Sequence, residues 1–116
     1  MSNYALWIDH EHAFVYKFEA EGVEEIKLKA HNHHKKDNAP FFHEVANSLS
    51  NSEELFIMGP GTAKDEFKHH CEKHHHPLLA KSIVGLKVME SHPTKAAMLK
   101  EASTLFKNYH LWKKNY

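Results

Sequence analysis

Residues 55–67 read LFIMGPGTAKDEF, and the order of residue types along this stretch decides the class of fold. Leu55, Phe56, Ile57 and Met58 form a short continuous apolar run without the alternation of a half-wet strand. That pattern predicts a strand buried on both faces. Gly59, Pro60 and Gly61 make a turn. Thr62, followed three residues later by Asp65, resembles a capping box in which Asp replaces the usual Glu or Gln. The helix it opens runs toward residue 75 and is ended by Pro77. A second apolar run, SIVGLKVM at 82–89, predicts another strand. A buried strand, a glycine turn, a helix and a strand again is a crossover unit, which places two parallel strands in one sheet with right-handed connectivity.

The elements before this unit are also legible. YALWID (4–9) is nearly continuous in apolar character and suits a central strand. AFVYKF (13–18) puts Phe14, Tyr16 and Phe18 on one face, and VEEIKLKA (23–30) puts Ile26, Leu28 and Ala30 on one face with a wet side opposite. The period then changes. Phe42, Val45, Ala46 and Leu49 recur at helical spacing after Pro40, which suits a first turn, with Asp37 or Asn38 as the cap. A last helix starts at Ser91 to Thr94, with the stripe Met98, Ala102, Leu105, Phe106 and Tyr109. The order βββαβαβα predicts a three-layer α/β fold around a five-stranded mixed sheet of strand order 3-2-1-4-5. Strands 1, 4 and 5 are parallel and strand 2 antiparallel, as in ribonuclease H-like proteins.

Composition limits the function. The chain has 116 residues, 41% of them hydrophobic, which makes one domain (1–116) with a core of its own. No run approaches the roughly 18 apolar residues of a membrane span. The start MSNYALWIDH lacks the basic segment of a signal peptide, and the single cysteine, Cys71, fits a reducing cytoplasm. The 15 basic residues are all lysines, balanced by 15 acids. Arginine is the preferred side chain for bidentate phosphate and base contacts, so its absence counts against sequence-specific nucleic-acid reading. The 13 histidines titrate near pH ~6.5 when unperturbed, so mild acid turns the chain cationic.

Three stretches together, WIDHEHAFVY at 7–16, IMGPGTAKDEF at 57–67 and SHPTKAAML at 91–99, resemble a known family. It comprises small bacterial proteins, often called translational machinery proteins, that are related to the middle domain of archaeal and eukaryotic peptide-chain release factors and Pelota. Gly59, Pro60, Gly61 and Lys64 are its best marker here. The resemblance covers nearly the whole chain and implies a ribonuclease H-like (S11/L18-like) fold, in agreement with the order of elements. It also implies a partner in translation: a ribosome, an RNA or a translation factor. Release factors carry a Gly-Gly-Gln motif between the third strand and the first helix. The corresponding segment here, HNHHKKDNAPFF (31–42), has neither glycine nor glutamine, so hydrolysis of peptidyl-tRNA is not implied. Its first part, 31–39, is a loop rich in histidine and lysine.

Strands 1, 3, 4 and 5 point the same way in this topology, so their carboxyl ends share one edge, where open α/β sheets favour ligands. That edge is expected to gather Asp9, His10, Glu11 and His12, then His31, His33 and His34, the Gly59–Gly61 turn, and His92. The glycine turn with Thr62 and Lys64 suits an anion at a helix start; a plain strand-to-helix turn explains the same residues. Lys35 and Lys36 offer contacts to an RNA backbone. His10, His12, His31, His33 and His34 offer imidazoles for zinc or nickel, held weakly, although no spacing matches a structural zinc motif and a solvated cationic loop accounts for them too. No cofactor is required. On the second helix, His70 with His74 and Cys71 with His75 share i, i+4 spacing, but Ala63, Phe67 and Cys71 also read as an apolar stripe. Asp9 stands where nucleases of this fold keep an acid, and Glu44 is a second carboxylate, but the fourth strand supplies none of the acids a two-metal site needs. The reading is a non-catalytic accessory protein of translation, with a histidine-rich metal-binding module as the alternative.

Overall fold

The computed structural model describes residues 3–19, 22–30, 39–73, 77–90 and 94–114. Five strands run in the order β3-β2-β1-β4-β5. They are β1 (Asn3–Ile8), β2 (His12–Glu19), β3 (Gly22–Lys29), β4 (Glu54–Gly59) and β5 (Ile83–Val88). β2 is antiparallel to β1 and β3, while β1, β4 and β5 are parallel. The mixed sheet and its strand order are those expected from the sequence. β1 and β4 sit in the middle and are buried almost throughout, which is why their sequences show no alternation.

The helices are α1 (Ala39–Ser48), α2 (Ala63–Lys73), α3 (Pro77–Ser82) and α4 (Lys95–Lys114). α3 corrects the expectation that Pro77 only ends a helix: the proline opens a new one, because the first turn needs no N–H from it. The order is therefore βββαβααβα. Thr94 caps α4, its hydroxyl accepting the N–H of Ala97 at 3.2 Å.

Each face of the sheet carries its own core. On one side Leu6, Ile8, Val15 and Ile57 meet Phe42 and Val45 of α1, Leu49 just past its end, Phe67 and Cys71 of α2, and Leu79 of α3. On the other, Ala5, Trp7, Tyr16, Phe56 and Met58 meet Met98, Ala102 and Phe106 of α4. Successive strand residues thus alternate between the two helical layers. Phe56 sets its ring edge-on to Phe106 with centroids 4.8 Å apart. The same ring fills the space over Gly85, where a Cβ would fall 2.6 Å from it. Beside it the β4–β5 register slips by one residue, leaving Val84 as the extra one. Tyr16, fully buried, has its phenol held well above its ordinary pKa by burial and by a hydrogen bond with Glu25, its cross-strand partner.

Candidate functional site: the carboxyl edge of the sheet

Three backbone contacts bring the strand ends together. The N–H of Ala30, just past β3, donates to the carbonyl of Glu11 at 2.8 Å. The N–H of Met89, just past β5, donates to the carbonyl of Gly59 at 3.0 Å. Gly59 in turn lies against Ile8 at the end of β1. The Trp7 indole N–H reaches the Met89 carbonyl at 3.3 Å across the α4 face, bracing the same rim. The shared edge expected from the topology is present.

Asp9 is committed to this rim. Its carboxylate accepts the N–H of Glu11 at 2.8 Å and of His12 at 2.6 Å, and its own N–H donates to the His12 carbonyl at 3.0 Å. This is an Asx-type turn closing the β1–β2 hairpin. His12 Nδ1 lies 3.6 Å from the same carboxylate, and its ring stacks on Phe14. His10 points the other way. Its Nε2 is 2.8 Å from Glu66 Oε2 on α2, and Thr62 Oγ1 donates to that same oxygen at 2.7 Å. These two hydrogen bonds hold the Glu66 carboxyl below its ordinary range against the opposing effect of burial, with a lesser contribution from the charge of His10.

The capping pattern is therefore not the one expected. The Thr62 hydroxyl goes to Glu66 one turn along, rather than into a box with Asp65, and the Glu66 N–H bonds the Thr62 carbonyl at 2.9 Å. The hydroxyl donates to a carboxylate and not to an imidazole, so the trio is no nucleophile relay. Glu66 is a site residue that the sequence reading misses. A signal for it exists: Thr62 and Glu66 are four apart on one helix, and His10 belongs to the same edge.

Lys64 lies on the first turn of α2 but turns inward. It is only 6% exposed, its ammonium donates to the Gly61 carbonyl, and Asp65 is 3.6 Å away. Gly61 has φ +57° with nothing near its missing Cβ, so it makes the turn and leaves it open to solvent. Gly59 is buried and its carbonyl is taken by Met89. The described rim thus carries the carboxylates of Asp9, Glu11, Asp65 and Glu66, with Lys64 turned inward beside Asp65. Two acids in the first turn already complement the positive end of α2.

His70 and Cys71 lie apart from this edge. His70 is 7% exposed, its ring edge-on to Phe42 at 5.7 Å. Cys71 is fully buried, and burial, with the neighbouring charge of Glu72, pushes its thiol up to about 12. The apolar-stripe reading of α2 accounts for both. His31, His33, His34, Lys35, Lys36, His74, His75, His76 and His92 lie outside the described residues, as do Asp37, Asn38 and Ser91 and the Tyr109 side chain. Among the described residues, no three His, Cys, Asp or Glu side chains are grouped to hold a metal ion. No helix among them is long and apolar enough to cross a membrane.

Set against solved structures, the chain superposes over nearly its whole length on Archaeoglobus fulgidus Pelota, with a TM-score of 0.70. The fold is shared with Pelota. Identity is 23%, and the match covers 98% of this chain and 36% of that one. The archaeal translation termination factor aRF1 matches at a TM-score of 0.64 and 15% identity, over 98% of this chain and 41% of its own. A chain from the assembly of ribosome-bound archaeal Pelota and ABCE1 matches at 0.64 and 22%, over 97% and 34%. This chain therefore spans between about a third and 41% of the length of these chains. No family model and no curated protein matches it.

Proposed function

We propose that this protein is a non-catalytic accessory of translation, one of the small bacterial relatives of the release-factor and Pelota middle domain, that acts in the cytoplasm by docking on the ribosome, its RNA or a translation factor. The observation that carries the proposal is the common edge. In a fold shared with ribosome-bound Pelota, four strand ends converge, and Ala30, the last residue before the His/Lys segment, is hydrogen-bonded at its rim. In this reading Lys35 and Lys36 make the phosphate contacts. Gly59, Gly61, Thr62 and Lys64 shape the neighbouring turn, and Lys64 joins the contact only by releasing the Gly61 carbonyl. The four rim carboxylates and the lack of arginine keep the association weak and strongly salt-dependent. The absence of glycine and glutamine from 31–42 supports a non-hydrolytic role.

Sedimentation of the full chain with ribosomes through sucrose at low and high salt tests this. Co-sedimentation that falls steeply with salt, and is weakened by Lys35→Ala with Lys36→Ala, is the expected result. Failure to sediment with ribosomes, together with no shift of ribosomal or transfer RNA at low salt, overturns it.

The bond from Ala30 to Glu11 also supports a second reading. It starts the segment containing His31, His33 and His34 beside His10 and His12, where zinc or nickel would be held weakly and without a required function. Metal retained after gel filtration, and lost when those three histidines become alanine, would favour it.

A further inference from the structure

The two edges of the sheet are guarded differently. β3 presents Glu24, Glu25, Lys27 and Lys29, a charged edge of the kind that blocks strand addition. β5 is the other edge, and among the described residues no strand pairs with its outer side. The exposed large hydrophobics of the described residues are Leu78, Leu86 and Val88 at 79%, 38% and 60%, and all lie on α3 or β5. The charged side chain of β5, Lys87, points to the α4 face, where it is bound to Glu101. It does not shield the edge.

The direction of the free backbone groups follows from the ladder. Met89 donates to Gly59 of β4, so residues 87 and 89 turn toward β4 and residues 86 and 88 turn outward. The outward residues are thus the two exposed apolar ones. Ile57 and Gly59 are their partners in β4, which places both side chains on the α1–α2 face, opposite α4.

We propose that β5 is a self-association surface, pairing antiparallel with β5 of a second copy about a two-fold axis at Lys87. In this register the open groups and the apolar side chains both match. Leu86 stands opposite Val88 of the second copy, each donating and accepting one main-chain hydrogen bond, and the two-fold repeats the pair. On the other face the two Lys87 side chains meet at the axis, each neutralised by its own Glu101, so the contact carries no net charge. Open-ended growth by β5 adding to β3 is opposed by the charges on β3, which leaves the closed dimer. The strand is six residues long and spans roughly 20 Å. Such an edge contact lies at the small end of stable interfaces, so the dimer forms with a Kd of about micromolar order.

Sedimentation equilibrium of the full chain without ribosomes tests the proposal separately from the translational reading. The mass is expected to rise with concentration from 13.5 kDa toward twice that value. Val88→Lys, at an exposed position that leaves folding intact by circular dichroism, weakens association roughly tenfold or more. Leu86→Lys mixed with Val88→Glu recovers a heterodimer, because position 86 of one copy faces position 88 of the other. A 13.5 kDa species throughout, at concentrations a hundredfold above about 1 μM, overturns the proposal. So does a dimer indifferent to Val88→Lys, a mixture that fails to recover, or growth beyond the dimer.

Discussion

A Cβ placed on Gly59 would fall 2.1 Å from the carbonyl oxygen of Ile8, at the point where β4 passes the end of β1. The obstacle is backbone of a central strand, which has nowhere to go, and the glycine has φ +156°. Gly59→Ala should therefore cost roughly 2–4 kcal/mol in urea unfolding. Gly61→Ala, at φ +57° but with open space, should cost only about 1–2 kcal/mol. Equal losses would show that the close approach to Ile8 does not limit stability.

Gly85 presents the side-chain version of the same constraint. The Phe56 ring occupies the place of its missing Cβ and is held edge-on by Phe106, so it does not swing away freely. Gly85→Ala should destabilise by about 1–3 kcal/mol. Combining it with Phe56→Leu should cost less than the sum of the two single changes. Additive losses in a double-mutant cycle would mean that the ring yields without cost.

Glu66 makes stability depend on pH in acid. Its folded pKa lies below the unfolded value of 4.5, so its contribution is complete above that value and disappears as pH falls through the folded pKa. Both side chains of the His10–Glu66 pair are half exposed, which limits the contribution to below about 1 kcal/mol. The difference in Tm between the protein and Glu66→Gln should be small at neutral pH and disappear as pH falls from 4.5 through the lowered folded pKa. A difference that grows as pH falls below 4.5 would contradict the assignment.

Cys71 should be inert in the folded protein. Its thiol is buried in the α1–α2 core and pushed up to about 12, so little thiolate forms at neutral pH. A thiol-specific disulfide reagent should label it only at the rate of unfolding. Because the unfolded thiol ionises near 9.0, stability falls as pH rises above that value. Rapid labelling under native conditions would place Cys71 outside the core.

Phe67 joins α2 to α1 and the sheet with full burial, its ring edge-on to Phe42. Phe67→Ala should cost about 3–5 kcal/mol. Lys64→Ala removes a buried ammonium from the Gly61 carbonyl. If the turn belongs to the ribosome contact, the variant should reduce co-sedimentation while remaining folded. Unchanged co-sedimentation would remove Lys64 from that contact.

The sequence by itself determined the elements and their order, because burial period is local. Leu55 to Met58, lacking alternation, had to be covered twice, and Val45, Ala46 and Leu49 could only share one helical face. Even the common edge followed, since strand direction is set by connectivity. Tertiary structure alone decided which polar groups on that edge meet. Thr62 had both Asp65 and Glu66 within reach, and the choice fell to Glu66, where His10 lies across the edge and shares its oxygen. Lys64, read along the chain as an anion contact at a helix start, was given the Gly61 carbonyl by the turn. His70 became core because Phe42 of α1 stands against its ring. Hydrogen-bond partners depend on distances between segments far apart in the chain, and residue spacing along one segment does not encode them.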